Sequence, residues 1–185
     1  MLLKDVAQIV FSFPEKADAG EITLWATAAS LHADNQIGEL KEENELKPND
    51  QCRVMKDDII IRRIQPQFVN YVDEDKSFYI AQNLVIIRAK ENINAKYLAY
   101  IMEKDMFKLY KDMMGSILVA INRKAFDEFD VGNLPDITTQ YAIGELWWLE
   151  KERKKLYNQL HDKQKQLLSW QLANVLKKEK NNDNI

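Results

Sequence analysis

Apolar positions fall into short runs over most of the chain and into one long periodic stripe near its end. Asp58-Ile-Ile-Ile-Arg-Arg-Ile64 is short and β-branched, which predicts a strand. Phe68 to Val72 alternates, and Asp73-Glu-Asp75 reads as a turn. Phe78 to Ile80 and Leu84 to Ile87 are further strands. Runs this closely spaced predict an antiparallel or mixed sheet and not a βαβ unit. Asn94 is a good N-cap for a helix whose apolar positions are Leu98, Ile101, Met102, Leu109 and Met113, with Gly115 as its C-cap. Ile117 to Ile121 predicts another strand, Asn122 to Phe129 a short helical turn, and Pro135 a boundary.

The last third differs in character. From Thr138 to Lys178 there is no proline, and Gly144 is the only glycine. A continuous helix over those 41 positions would reach roughly 60 Å, more than a small domain needs. Leu146, Leu149, Leu156, Leu160, Leu167 and Trp170 recur at three, four and seven residues, a seam interrupted by Arg153 and Lys163. Those six predict a helix–helix interface. Tyr141 and Ile143 are expected to pack on the helix's own domain. Trp147 and Trp148 are adjacent, so one is expected to face the domain and the other a partner. The expected division is a domain over 1–137, a helix over 138–178 and a disordered tail over 179–185.

Composition narrows the function classes. The chain has 185 residues, 46% hydrophobic and 30% charged, which is ordinary for a folded protein. Cys52 is the only cysteine and His32 and His161 the only histidines, so neither a disulfide nor a multi-cysteine zinc site is expected. No apolar run approaches the length of a membrane helix, and the opening residues lack the features of a secretory signal. The expected compartment is the cytoplasm. Residues 1–137 carry 17 Lys and Arg against 23 Asp and Glu, a formal −6, while residues 138–185 carry +3. The acidic stretch from Asp34 to Asp50 reads as a solvated face.

No phosphate-binding loop, dinucleotide turn or nucleophile elbow is present, and no cofactor is expected. The acid-x-Lys triplet Glu74-Asp75-Lys76, with Asp57 and Asp58 upstream, keeps a metal-dependent nuclease as an alternative, although Glu45-Leu-Lys47 has the same spacing.

Several segments in order do match a family. Leu3-Lys-Asp-Val-Ala-Gln-Ile9 resembles the opening of target-recognition domains. Lys56-Asp-Asp-Ile-Ile-Ile-Arg-Arg63 and Ala81-Gln-Asn-Leu-Val-Ile-Ile-Arg88 resemble two of their strands. Ile93-Asn-Ala-Lys-Tyr-Leu-Ala-Tyr-Ile101 resembles the helix that follows, and Gly115-Ser116 the small pair before the next strand. Leu134-Pro-Asp-Ile-Thr-Thr-Gln140 is similar to the proline-to-glutamine entry of a long helix. The set resembles the DNA specificity (S) subunit of type I restriction-modification systems. Two departures stand out: Asp57 replaces the usual glycine before Asp58, and Phe11-Ser-Phe-Pro14 stands where a glycine is common.

The resemblance implies an α+β fold: a mixed or antiparallel-sheet target-recognition domain followed by a long helix that pairs as an antiparallel coiled coil. It implies a non-catalytic protein that binds double-stranded DNA and directs a modification methyltransferase subunit, with a restriction subunit as a further partner. With one domain and one helix the chain resembles half of such a subunit, which implies a homodimer on a bipartite, inverted-repeat site. Arg, Asn and Gln side chains suit base edges, and Lys and Arg suit phosphates. The candidates are Arg62, Arg63, Gln65, Gln67 and Asn70 around Pro66, and Asn122, Arg123 and Lys124 after Ile121. The domain's net negative charge favours a different reading, a coiled-coil protein adaptor or degenerate relative without DNA readout.

Overall fold

The computed structural model describes residues 1–16, 20–47, 49–110 and 120–182, with residues 175–182 described by backbone alone. In chain order the described elements are α1 (Leu3–Val6), β1 (Ala7–Phe11), β2 (Glu15–Lys16), β3 (Thr23–Ala26), β4 (Lys41–Glu43) and β5 (Leu46–Lys47). There follow β6 (Asp58–Arg62), β7 (Asn70–Tyr71), β8 (Tyr79–Ile80), β9 (Leu84–Ala89), α2 (Ala95–Lys104), α3 (Arg123–Asp127) and α4 (Ile137–Asn182).

The central sheet has the order β1-β9-β6-β7 and is antiparallel throughout. A second sheet, β4-β3-β8, mixes one antiparallel and one parallel pair, and β2 pairs with β5 alone. The α+β class and the mixed sheet expected from the spacing of the apolar runs are both present.

Why β6 and β9 read as unbroken apolar runs is now plain: the central sheet is covered on both faces. Ile59, Ile61, Val85 and Ile87 point to a core shared with α1, α2 and α3. Ile60, Leu84 and Ile86 point the other way, onto Ala26, Leu31, Val54, Phe78 and Ile80. The register pairs Ile59 with Ile87, Ile60 with Ile86 and Ile61 with Val85, so a slip by one residue would exchange the two cores.

At the start of β6 the same register sets Asp58 opposite Arg88. Asp58 is wholly buried, and Arg88 donates from Nε and Nη2 to its two oxygens at 2.8 Å each. Asp57, just before it, has φ +69°, a left-handed turn that explains why glycine suits this place. Here the aspartate carboxylate accepts the Tyr71 hydroxyl. Burial, then Asp57, push that hydroxyl well above the usual tyrosine range.

The helix at Asn94 begins as expected, with the Asn94 side chain accepting from the Tyr97 amide at 2.9 Å. It ends at Lys104, earlier than predicted. A 3-10 turn over Met106–Leu109 continues to bury Met106 and Leu109, which is why the periodicity looked unbroken. Met113, Gly115 and most of the predicted 117–121 strand lie outside the described residues. Ala120 makes a single bridge to Ile64.

Asp136 caps α4, accepting from the Thr139 amide at 3.0 Å and hydroxyl at 2.7 Å. Gln140 is buried; it accepts from the Asn94 amide and donates to the Pro135 carbonyl, fastening the entry of α4 to the start of α2. Gly144 lets the helices touch there. A Cβ at that position would lie 2.7–2.9 Å from Asn94 Oδ1, Tyr97 N and Lys96 Cβ. One turn later Trp147 Nε1 and Lys151 Nζ both donate to Glu103.

Two expectations are corrected. Tyr141 is exposed, although Ile143 does pack on the domain core. Trp147 and Trp148 both lie against the domain, each with its ring edge-on to Tyr71 at 6.5 and 5.2 Å. Neighbours 100° apart on a helix can both reach a broad surface, and the domain presents one.

Candidate nucleic-acid interface

Where β1 runs out, Phe11 and Phe13 stack with rings 6.3 Å apart and 9° from parallel. Phe126 of α3 supports Phe11 edge-on from beneath at 5.7 Å. Phe11 is half-buried, whereas Phe13 is 67% exposed. Two guanidinium groups converge on this pair. Arg63, just past β6, lies 5.1 Å from the Phe11 ring centre and 5.9 Å from that of Phe13. Arg123, opening α3, lies 5.0 Å from Phe11.

Both arginines are tethered by one nitrogen. Arg63 Nε donates to the Ile121 carbonyl at 3.2 Å, and Arg123 Nη2 to the Ile9 carbonyl at 3.1 Å. The Ile121 amide donates to the Arg63 carbonyl at 2.8 Å, and Ile64 bridges Ala120, which holds the two loops together. The remaining guanidinium nitrogens have no acceptor among the described residues. The result is a partly exposed pair of fixed cations on an aromatic base, suited to anionic or hydrogen-bond-accepting surfaces such as phosphates and guanine edges.

Of the other candidates, Lys124 and Asn122 accompany Arg123. Asn122 is exposed and caps α3 through the Ala125 amide at 2.9 Å; Lys124 is exposed, 3.8 Å from Glu128. Gln65, with φ +47°, and Gln67 are exposed on the loop that Arg63 begins. Arg62 turns elsewhere. Its Nη2 donates to the Leu31 carbonyl at 2.5 Å, and its guanidinium covers Phe68 at 5.1 Å. Asn70 is wholly buried and donates to the His32 carbonyl at 2.9 Å, so it is not presented to a groove. Arg62 and Asn70 thus both fasten the loop around Leu31 and His32 to the central sheet.

The acidic groups named for a nuclease do not come together. Asp58 is occupied by Arg88, while Glu74 is an exposed partner of Lys76, which holds its carboxyl below the usual range. Among the described residues no group of three potential ligands is placed to hold a metal ion.

On α4, the six seam residues Leu146, Leu149, Leu156, Leu160, Leu167 and Trp170 are 52–69% exposed. The domain packs on the opposite side, through Gln140, Gly144, Trp147, Trp148 and Lys151, and Asn158 makes a bond to Asp34. From Leu156 to Ala173 every side chain is exposed. Among the described residues no helix is long and apolar enough to cross a membrane.

No protein-family model and no curated protein sequence matches the chain. Solved structures do. The HsdS subunit of Thermoanaerobacter tengcongensis superposes with a TM-score of 0.62 at 15% identity, over 86% of this chain and 43% of that one. A chain from a type I R-M system complex gives 0.58 at 14% identity, covering 82% and 37%. The type I restriction-modification S subunit of M. genitalium gives 0.53 at 13%, covering 83% and 38%. The chain therefore spans about two fifths of the length of these structures. Over most of its length the chain, an α+β domain followed by a long helix, shares the fold of part of these type I S subunits.

Proposed function

We propose that the chain recognises DNA sequence for a type I restriction-modification assembly, without catalytic activity of its own, and directs a modification subunit to a bipartite site. The observation that carries this reading is the fold shared over most of the chain with S subunits. The Arg63–Arg123 cluster supports it by offering fixed donors on a domain that is otherwise net acidic. In this reading Arg63 and Arg123 contact bases or phosphates, with Gln65, Gln67, Asn122 and Lys124 around them. A restriction subunit is a further partner, and the assembly acts in the cytoplasm.

The partner of α4 in this reading is a second copy, laid antiparallel. Support comes from the symmetry of the seam about residue 158. Leu146 and Trp170 are equidistant from it, as are Leu149 and Leu167, Arg153 and Lys163, and Leu156 and Leu160. An antiparallel pair in this register stacks three kinds of apolar layer and gathers both cations in one layer. Glu150 and Glu152 flank that layer, and Glu150 already holds Arg153 by two 2.8 Å bonds. Shifting by one heptad would set each cation against an apolar residue and leave Lys163 without those acids.

The test is methylation mapping across a genome with the cognate modification subunit, with and without this chain. A bipartite inverted-repeat motif that depends on the chain is expected. An asymmetric motif would retain recognition and refute the homodimer. An assembled complex with no chain-dependent motif would favour the protein adaptor, the reading to which the domain's −6 charge points.

A further inference from the structure

We propose that Phe13 is a specificity-determining residue that reads a thymine 5-methyl group in the major groove, beside a guanine contacted by Arg63. The inference rests on the DNA-recognition reading above and assigns a base contact within it.

Phe13 is one of the most exposed large apolar side chains of the domain, at 67%, yet its ring is held in place. It stacks on Phe11, which stands on Phe126, and Pro14 restricts the backbone just after it. The preceding Ser12 is buried. An exposed ring on a rigid base is ready to make contact without paying the cost of ordering a loose side chain.

The neighbouring arginine narrows the choice of contact. Arg63 is tethered through Nε, so the two outer nitrogens project as a fork, the geometry that pairs with guanine O6 and N7. Its guanidinium carbon lies 5.9 Å from the Phe13 ring centre. Bases rise about 3.4 Å per step, so ring and fork reach base edges one or two steps apart in one groove. Phosphates offer a phenyl ring nothing. The apolar feature on the major-groove edge is the thymine methyl, which phenylalanine contacts.

The experiment uses the assembled complex with its modification subunit and a duplex carrying the mapped site. Each thymine is replaced in turn by deoxyuridine, which removes only the methyl. One position per half-site should lose about fourfold in affinity, the worth of one buried methyl-sized group. In Phe13→Ala that position should become indifferent to the replacement while the rest of the motif is kept; Phe13→Leu should retain part of the sensitivity. A half-site without thymine, uracil replacement without effect at every position, or an unchanged uracil penalty in Phe13→Ala would each overturn the assignment. So would loss of assembly with the modification subunit in Phe13→Ala, which would make the ring a protein contact. So too would bright 2-aminopurine fluorescence that depends on Phe13, which would mark a wedge between bases. A wild-type complex with no sequence preference would instead bring down the DNA reading itself.

Discussion

Arg62 and Arg63 are neighbours with different work. Arg63 faces the aromatic pair and keeps two outer nitrogens for a ligand, while Arg62 is spent on the Leu31 carbonyl and Phe68. Arg123→Ala should therefore relax the methylated motif at one position, at about 1–3 kcal/mol of discrimination, with the thermal midpoint little changed. Arg62→Ala should do the reverse, lowering the midpoint and leaving the motif intact; methylation mapping and melting of both variants check this. The Asp58–Arg88 pair gives a second contrast. Arg88→Ala strands a fully buried carboxylate and should cost about 3–5 kcal/mol in urea unfolding, whereas Asp58→Asn combined with Arg88→Met should cost less, because no charge is left unpaired. The pairing of these two was not legible in the sequence. They are thirty residues apart, and only the β6–β9 register sets them face to face.

At the scale of elements, the entry of α4 was legible in part: Pro135 was expected as a boundary and Leu134 to Gln140 resembled the start of a long helix, whereas the Asp136 cap emerged only from the structure. The Thr139 hydroxyl and amide hold the Asp136 carboxyl below its ordinary range. The folded state thus releases this proton more readily than the unfolded chain. The cap's contribution is complete above the ordinary carboxylate value and fades as pH falls through the lowered one. Melting temperature should accordingly decline on acidification below about pH 4, and Asp136→Asn should lose this part of the decline. The end of α2 was less legible. Met106 and Leu109 keep the apolar spacing across a 3-10 turn, and periodicity does not distinguish that turn from one more turn of α-helix. β1 was not foreseen: it follows α1 directly, and no turn residue separates the apolar positions of the helix from those of the strand.

For the whole molecule, the decisive feature is that α4 shows one side to its own domain and the seam to the other. Trp147 and Trp148 close the domain side, and the seam residues are left exposed among the described residues. Leu156→Lys with Leu160→Lys should yield a monomer by sedimentation, with the domain still folded. Cysteines at the same two positions should crosslink between chains, in agreement with the register centred on residue 158. Arg153→Leu with Lys163→Leu should tighten the pair, since an apolar layer costs no desolvation of charge.

Local order was written in the sequence: the β-branched runs of β6 and β9, the Asn94 cap, and the periodic seam of α4. These follow from backbone sterics and from the period at which side chains return to one face, both of which act over a few residues. Tertiary structure alone decided that Arg63 and Arg123 meet on Phe11, that Phe13 stands clear beside them, and that Asn70 is buried. Such meetings depend on where the sheet register and loop closures bring distant residues, and no local period encodes those distances.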